Sequence, residues 1–224
     1  MDALIFDFDG VLVDSEPIHY EGFRRILASR GMVLTEKDYY GKYLGFDDHD
    51  AIAAACRDLG CPAGEKQIAA MEAEKSVYLR RILSESAEPM PGAPELIEAA
   101  TEAGVPLAVC SGALREEVEL TLRVFGVIDR FGAIVGAKDV ADGKPHPEGY
   151  LKACKQLAGR AGRTIHAASC LVVEDSPVGI QAGKAAGMKV LAVTNSYPAE
   201  ELTEADRIVD SLVGILLDSL SEMF

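Results

Sequence analysis

Beyond residue 89 the chain alternates short, wholly apolar runs with amphipathic stretches, and this alternation restricts its fold more than any other feature. The runs at residues 106–110, 133–136, 170–173 and 190–193 are too short for helices of their own and too continuous for a sheet with one wet face. Between them the spacing predicts helices near residues 93–103, 115–125, 147–157 and 178–186. Strands and helices in turn point to a parallel sheet covered by helices on both faces. The opening run, residues 3–8, reads as one more buried strand that stops at the turn dipeptide Asp9-Gly10.

Residues 17 to 86 break the pattern: Ile18, Phe23, Ile26 and Leu27, then residues 52–59 and 68–83, fall at helical spacing. The Pro-rich link at residues 88–92 closes this stretch, which reads as a helical insert in an α/β chain.

Charge narrows the function. At 224 residues the chain can bury a large core without staples, and its formal net charge of -14 repels nucleic-acid backbones. The same charge repels a phosphorylated metabolite, which would need a cation and a local lysine at its site. No long apolar run suggests a membrane, and no basic and apolar leader opens the chain. The five cysteines include no C-x-x-C pair and mostly sit inside apolar runs, so reduced buried thiols and a cytoplasmic enzyme are expected. Nothing in the pattern speaks for an oligomer, and a monomer is compatible with it.

In open parallel sheets, ligands gather outside the carboxyl ends of the strands, and here those ends carry the polar residues. Asp7 and Asp9 are two residues apart, which on an extended strand would put both carboxylates on one face. One carboxylate can attack phosphorus while the other protonates the leaving oxygen and later activates water. Two acids beside a phosphate need a counter-cation, and Mg2+ suits oxygen ligands of this kind. A turn or capping role would account equally for a strand that ends in aspartate. An EF-hand is excluded, since apolar Val11-Leu12-Val13 follows the glycine where calcium ligands would be needed.

Three further segments carry chemistry. Ser111-Gly112, after an apolar run and before a helix, offers a hydroxyl and backbone N–H groups to phosphate oxygens, or serves as a plain turn and cap. Lys144, before Pro145, is either a solvated lysine or the cation of the cleft. Glu174-Asp175 follow apolar Leu171-Val172-Val173, where two carboxylates are costly without a cation, although Asp175 could also cap the next helix.

Taken in order, DFDGVLVDS at residues 7–15, VCSG at 109–112, GKPHP at 143–147 and VVEDSPVGIQAG at 172–183 resemble the haloacid dehalogenase superfamily over nearly the whole chain. The resemblance implies a Rossmann-like parallel-sheet core, residues 1–14 and 89–224, with a small α-helical cap inserted as residues 15–88. It also implies roles: Asp7 as nucleophile, Asp9 as general acid and base, Ser111 and Gly112 as phosphate binders, and Lys144 as charge balance. Asp7, the Asp9 carbonyl, Glu174 and Asp175 would hold Mg2+.

Within the superfamily a carboxylate at Asp9 argues against dehalogenation, and no pattern marks the cap lysines Lys66 and Lys75 as the buried amine an imine-forming phosphonate cleaver would need. The expected activity is Mg2+-dependent hydrolysis of a small phosphomonoester, with a β-phosphoglucomutase-like sugar-phosphate mutase as the alternative. His19 matches a cap-hinge histidine of that branch. In the cap loop at residues 44–49, Asp48 stands where the mutases carry an arginine that grips a second phosphate, and an anion there favours a monophosphate and hydrolysis. A protein that kept the fold only to bind a partner would be expected to have lost a core acid, and all are present.

Overall fold

The computed structural model describes residues 1–44 and 46–224, so Gly45 of the loop at residues 44–49 lies outside the described residues. The chain divides into two compact units, Met1–Asp14 with Glu88–Phe224, and Ser15–Ala87. In chain order, β1 (Ala3–Phe6) precedes the helices of the second unit, α1 (Glu16–Ala28), α2 (Glu36–Asp38), α3 (Asp48–Asp58) and α4 (Glu65–Ser86). The first unit then resumes with α5 (Ala93–Glu102), β2 (Leu107–Cys110), α6 (Arg115–Val124), β3 (Phe131–Val135) and α7 (Glu148–Ala161). It ends with β4 (Cys170–Glu174), α8 (Pro177–Ala185), β5 (Lys189–Val193), β6 (Arg207–Val209) and α9 (Leu217–Ser221).

All the pairings among the six strands are parallel, in the order β3-β2-β1-β4-β5-β6. The run at residues 3–8 shortens to a four-residue strand ending at Phe6, because the Phe8 carbonyl accepts the N–H groups of Val11, Leu12 and Val13 and turns the chain. Asp7 follows β1 directly and Asp9 lies inside the turn. A sixth strand, β6, joins the five that the apolar runs predict; its three residues are all half-buried, too few and too wet for a readable period.

Every residue of β1, β2 and β4 is buried, which explains why these runs lack polar alternation. Ala3 and Ile5 pack into one cluster with Ala108, Tyr150 of α7 and Ile180 of α8, while the intervening Leu4 and Phe6 point to the other face. The strand order reverses between β1 and β4, so the crevice at their carboxyl ends is the switch point where α/β sheets bind ligands. Two chain crossings tie the start and end of the excursion together inside the first unit: Asp14 N–H donates to the Glu88 carbonyl and Met90 N–H to that of Leu12.

The second unit is helical throughout its regular structure, and Phe23, Ile26, Tyr39, Ile52, Cys56 and Met71 share its core. A five-residue π-helix, Tyr39–Tyr43, follows α2. It turns Tyr39 and Tyr43 inward, where their hydroxyls donate to Glu16 and Asp58, and leaves Tyr40 outward.

Candidate active site

The register of the sheet sets the site. Phe6 is level with Val109 of β2 and with Val173 of β4, so one step further along the strands Asp7 is flanked by Cys110 and Glu174. The Asp7 N–H donates to the Val173 carbonyl at 2.9 Å, which extends the ladder by one bond and keeps the carboxylate at the crevice floor. Oxygens of Asp7, Glu174 and Asp175 lie within 4.8 Å of one another, and all three residues are buried.

A single lysine meets them. Lys144, from the loop between β3 and α7, brings its ammonium to 2.7 Å from Asp7 Oδ1 and 2.5 Å from Glu174 Oε1. Glu174 is saturated by donors: Oε1 accepts from Lys144 and from the Tyr150 hydroxyl at 2.8 Å, while Oε2 accepts from Asp175 N–H, Ser176 N–H and Ser176 Oγ. Gly179 makes this possible, since a Cβ there would stand 1.7 Å from Glu174 Oε1. Ser176, not Asp175, caps α8 by accepting from Gly179 N–H, which removes capping as the reason for Asp175.

Three buried carboxylates against one ammonium leave an excess of negative charge, and the titration of the groups reflects it. Burial, then Glu174, pushes the Asp7 carboxyl up to about 7 against the pull of Lys144. Burial also raises Asp175 well above the ordinary range, with Glu174 and Asp7 adding to it and a hydrogen bond from Ser196 opposing. Burial works against the Lys144 charge, but Asp7 and Glu174 outweigh it and hold its pKa above the usual lysine value. Asp7 Oδ1, though close to Lys144, receives no well-directed hydrogen bond among the described residues. An orphaned carboxylate oxygen within a triad of buried acids fits a hard divalent cation that takes oxygen ligands.

The remaining expected residues fall out as follows. Asp9, half-buried, is close enough for its charge to raise the Asp7 pKa. Ser111 is buried at the end of β2, where its Oγ accepts the Ala113 N–H at 2.9 Å; α6 starts only at Arg115, so Ser111 and the exposed Gly112 form a turn ahead of the helix and do not cap it. Tyr150 was invisible as a site residue, because its place on the apolar stripe with Ala153, Cys154 and Leu157 explains its burial without its hydroxyl.

His19 and Asp48 belong to a separate cluster in the helical unit. Contrary to the expectation that no pattern marks either cap lysine as buried, Lys75 is fully buried; its ammonium lies 2.5 Å from Asp48 Oδ1, 2.9 Å from His19 Nδ1 and 4.0 Å above the Phe23 ring centroid. The buried stripe of α4, Ile68, Met71, Lys75, Leu79 and Leu83, carries this lysine at helical spacing, a signal present in the sequence. Asp48 is therefore half of an ion pair, and the repulsion of a second phosphate assigned to it is offset by Lys75.

Comparison with known proteins agrees with this geometry. The haloacid dehalogenase-like hydrolase family matches the chain over residues 4–193, and the chain belongs to that family. A protein of Bacillus subtilis described as the putative phosphatase YhcW is 32% identical, with 98% of this chain and 97% of that one aligned. A phosphorylated carbohydrates phosphatase of Thermotoga maritima is 29% identical over the full length of both chains. Among solved structures, CbbY from Rhodobacter sphaeroides in complex with phosphate superposes with a TM-score of 0.83, at 27% identity and 96% coverage of each chain.

Proposed function

We propose that the chain is a phosphatase that hydrolyses a small phosphomonoester, a sugar phosphate or similar metabolite, with the first unit as catalytic core and the helical unit as its cap. The observation that carries the reading is the triad of buried carboxylates around one lysine at the switch point, with Asp7 Oδ1 left without a directed partner. The relatives described as phosphatases support hydrolysis over isomerisation, and the one that acts on phosphorylated carbohydrates supports the substrate class.

In the first step an Asp7 oxygen bonds to phosphorus, the bond from phosphorus to the ester oxygen breaks, and Asp9 gives that oxygen its proton. In the second, Asp9 takes a proton from water, the water oxygen bonds to phosphorus, and Asp7 leaves as a free carboxylate beside inorganic phosphate. Lys144 holds Asp7 in place and balances its charge, anchored in turn by Glu174. Ser111 and Gly112, at the end of the neighbouring strand, supply hydrogen bonds to the phosphate oxygens. Asp7, Asp175 and the Asp9 carbonyl would hold Mg2+, whose positive charge, when bound, offsets the phosphate and the acids, while Glu174, expected as a further ligand, has both oxygens taken by donors and would act through Lys144. His19 and Asp48 bear on substrate choice through the cap. Free thiols at Cys56, Cys61, Cys110, Cys154 and Cys170 support a reducing compartment such as the cytoplasm, and no described helix is long and apolar enough to cross a membrane.

The test is phosphate release from an aryl phosphate and from a panel of phosphorylated metabolites, by the parent and by Asp7→Asn. Mg2+-dependent turnover that is lost in Asp7→Asn is expected, and unchanged turnover in the variant would remove Asp7 from the mechanism. Conversion of β-glucose 1-phosphate to its isomer in the presence of the bisphosphate activator, without free phosphate, would replace the phosphatase by the mutase.

A further inference from the structure

The turn that follows β5 touches the site at two points that none of the four motifs contains. Ser196 Oγ donates to Asp175 Oδ2 at 2.5 Å, and Asn195 Nδ2 donates to the carbonyl of Gly10 at 2.6 Å. Gly10 closes the arrangement: its φ is +69°, and a Cβ there would stand 1.9 Å from Asp175 Oδ2 and 2.8 Å from Ser196 Oγ. The backbone of the loop that carries Asp7 and Asp9, the Asp175 carboxylate and the Ser196 hydroxyl thus meet in direct contact.

Asn195 is exposed and Ser196 half-buried, so neither is needed to fill the core. Their donors nevertheless go to a buried acid of the triad and to the backbone next to Asp9. A carboxylate that ligates a cation keeps one geometry only if its other oxygen is held, and partners of this kind commonly set metal affinity.

We propose that residues 194–196 form a further loop of the active site, in which Ser196 positions the Asp175 carboxylate for the divalent cation and Asn195 ties the turn to the Asp7–Gly10 loop. This rests on the Mg2+ reading given above. Ser196 touches neither substrate nor phosphorus and is a positioning residue.

Calorimetric titration of the metal-free protein with Mg2+ alone tests it. Ser196→Ala should weaken Mg2+ binding about tenfold to a hundredfold, the usual effect of removing an outer partner of a metal ligand. Ser196→Thr keeps the hydroxyl and should stay within about threefold of the parent, while Asn195→Ala should lose about threefold or more. In phosphate-release assays the Ser196→Ala defect should appear in the Mg2+ concentration for half-maximal rate, with kcat recovered at saturating Mg2+. A folded Ser196→Ala protein with parental Mg2+ affinity, or a Ser196→Thr protein as weak as the alanine variant, would overturn the assignment. A parent that binds no Mg2+ would overturn the metal reading itself, and this proposal with it.

Discussion

Tyr150→Phe removes one oxygen from the centre of the first unit and nothing else. The ring is fully buried and stays in place, so no cavity of consequence opens. What is lost is the 2.8 Å hydrogen bond from the hydroxyl to Glu174 Oε1, one of five donors on that carboxylate. A hydrogen bond to a charged acceptor contributes about 1.5–3 kcal/mol net, and four donors remain, so the cost should fall near 2 kcal/mol. For a chain of this size that corresponds to a fall in Tm of about 4–8 °C. The protein contains no tryptophan, so unfolding in urea is best followed by far-UV circular dichroism. The midpoint should move down at constant slope, and because Lys144 keeps both carboxylate partners, kcat should fall less than about tenfold. A change in stability below about 0.5 kcal/mol, the size of an ordinary surface substitution, would refute the view that the donors around Glu174 hold the site together.

Glu174→Gln keeps the shape but presents an amide NH2 to oxygen positions that face only donors, so no orientation satisfies it; a loss of about 3 kcal/mol or more and a collapse of turnover are expected, measured by the same unfolding assay and by phosphate release. Thr121 is fully buried with no hydrogen-bond partner for Oγ1 among the described residues, and Thr121→Val should raise stability by about 1 kcal/mol in urea titrations. In chelator, the Asp7 carboxyl, raised to about 7 from the ordinary 3.8, keeps a proton that the unfolded chain has already released. Its contribution to stability is therefore complete below the unfolded value and lost as the pH rises through about 7; denaturation curves across this window should show a steeper slope in the parent than in Asp7→Asn, where the raised Asp175 carboxyl alone remains.

The parts of this molecule that the sequence discloses are those where composition and position carry the same message. Fully apolar runs of four or five residues at β1, β2 and β4 have no other stable use than a sheet buried on both faces, and the acids that follow them at Asp7 and Glu174-Asp175 stand out because they interrupt apolar chain. Lys144 needed its neighbours to be legible, since nothing local separates it from a solvated lysine. What stayed hidden depends on contacts distant in sequence. Asn195 and Ser196 look like an ordinary polar turn until it is known that β5 lies beside β4, and that the turn bends back to Gly10. The Tyr150 hydroxyl is hidden in an apolar stripe, and β6 is too short to show a period. Lys75 was legible in principle, four residues from both Met71 and Leu79 on the buried face of α4, but a lysine at a core position is ordinarily discounted.

The central claim is that Asp7 bonds to phosphorus before water does. Stereochemistry at phosphorus tests it most directly, through hydrolysis of a phenyl phosphorothioate made chiral by its sulfur and two oxygen isotopes, in water of the third. Two successive displacements, at Asp7 and then by water, predict inorganic thiophosphate of retained configuration. Inverted configuration would mean that water attacks the ester in a single step and would contradict the account.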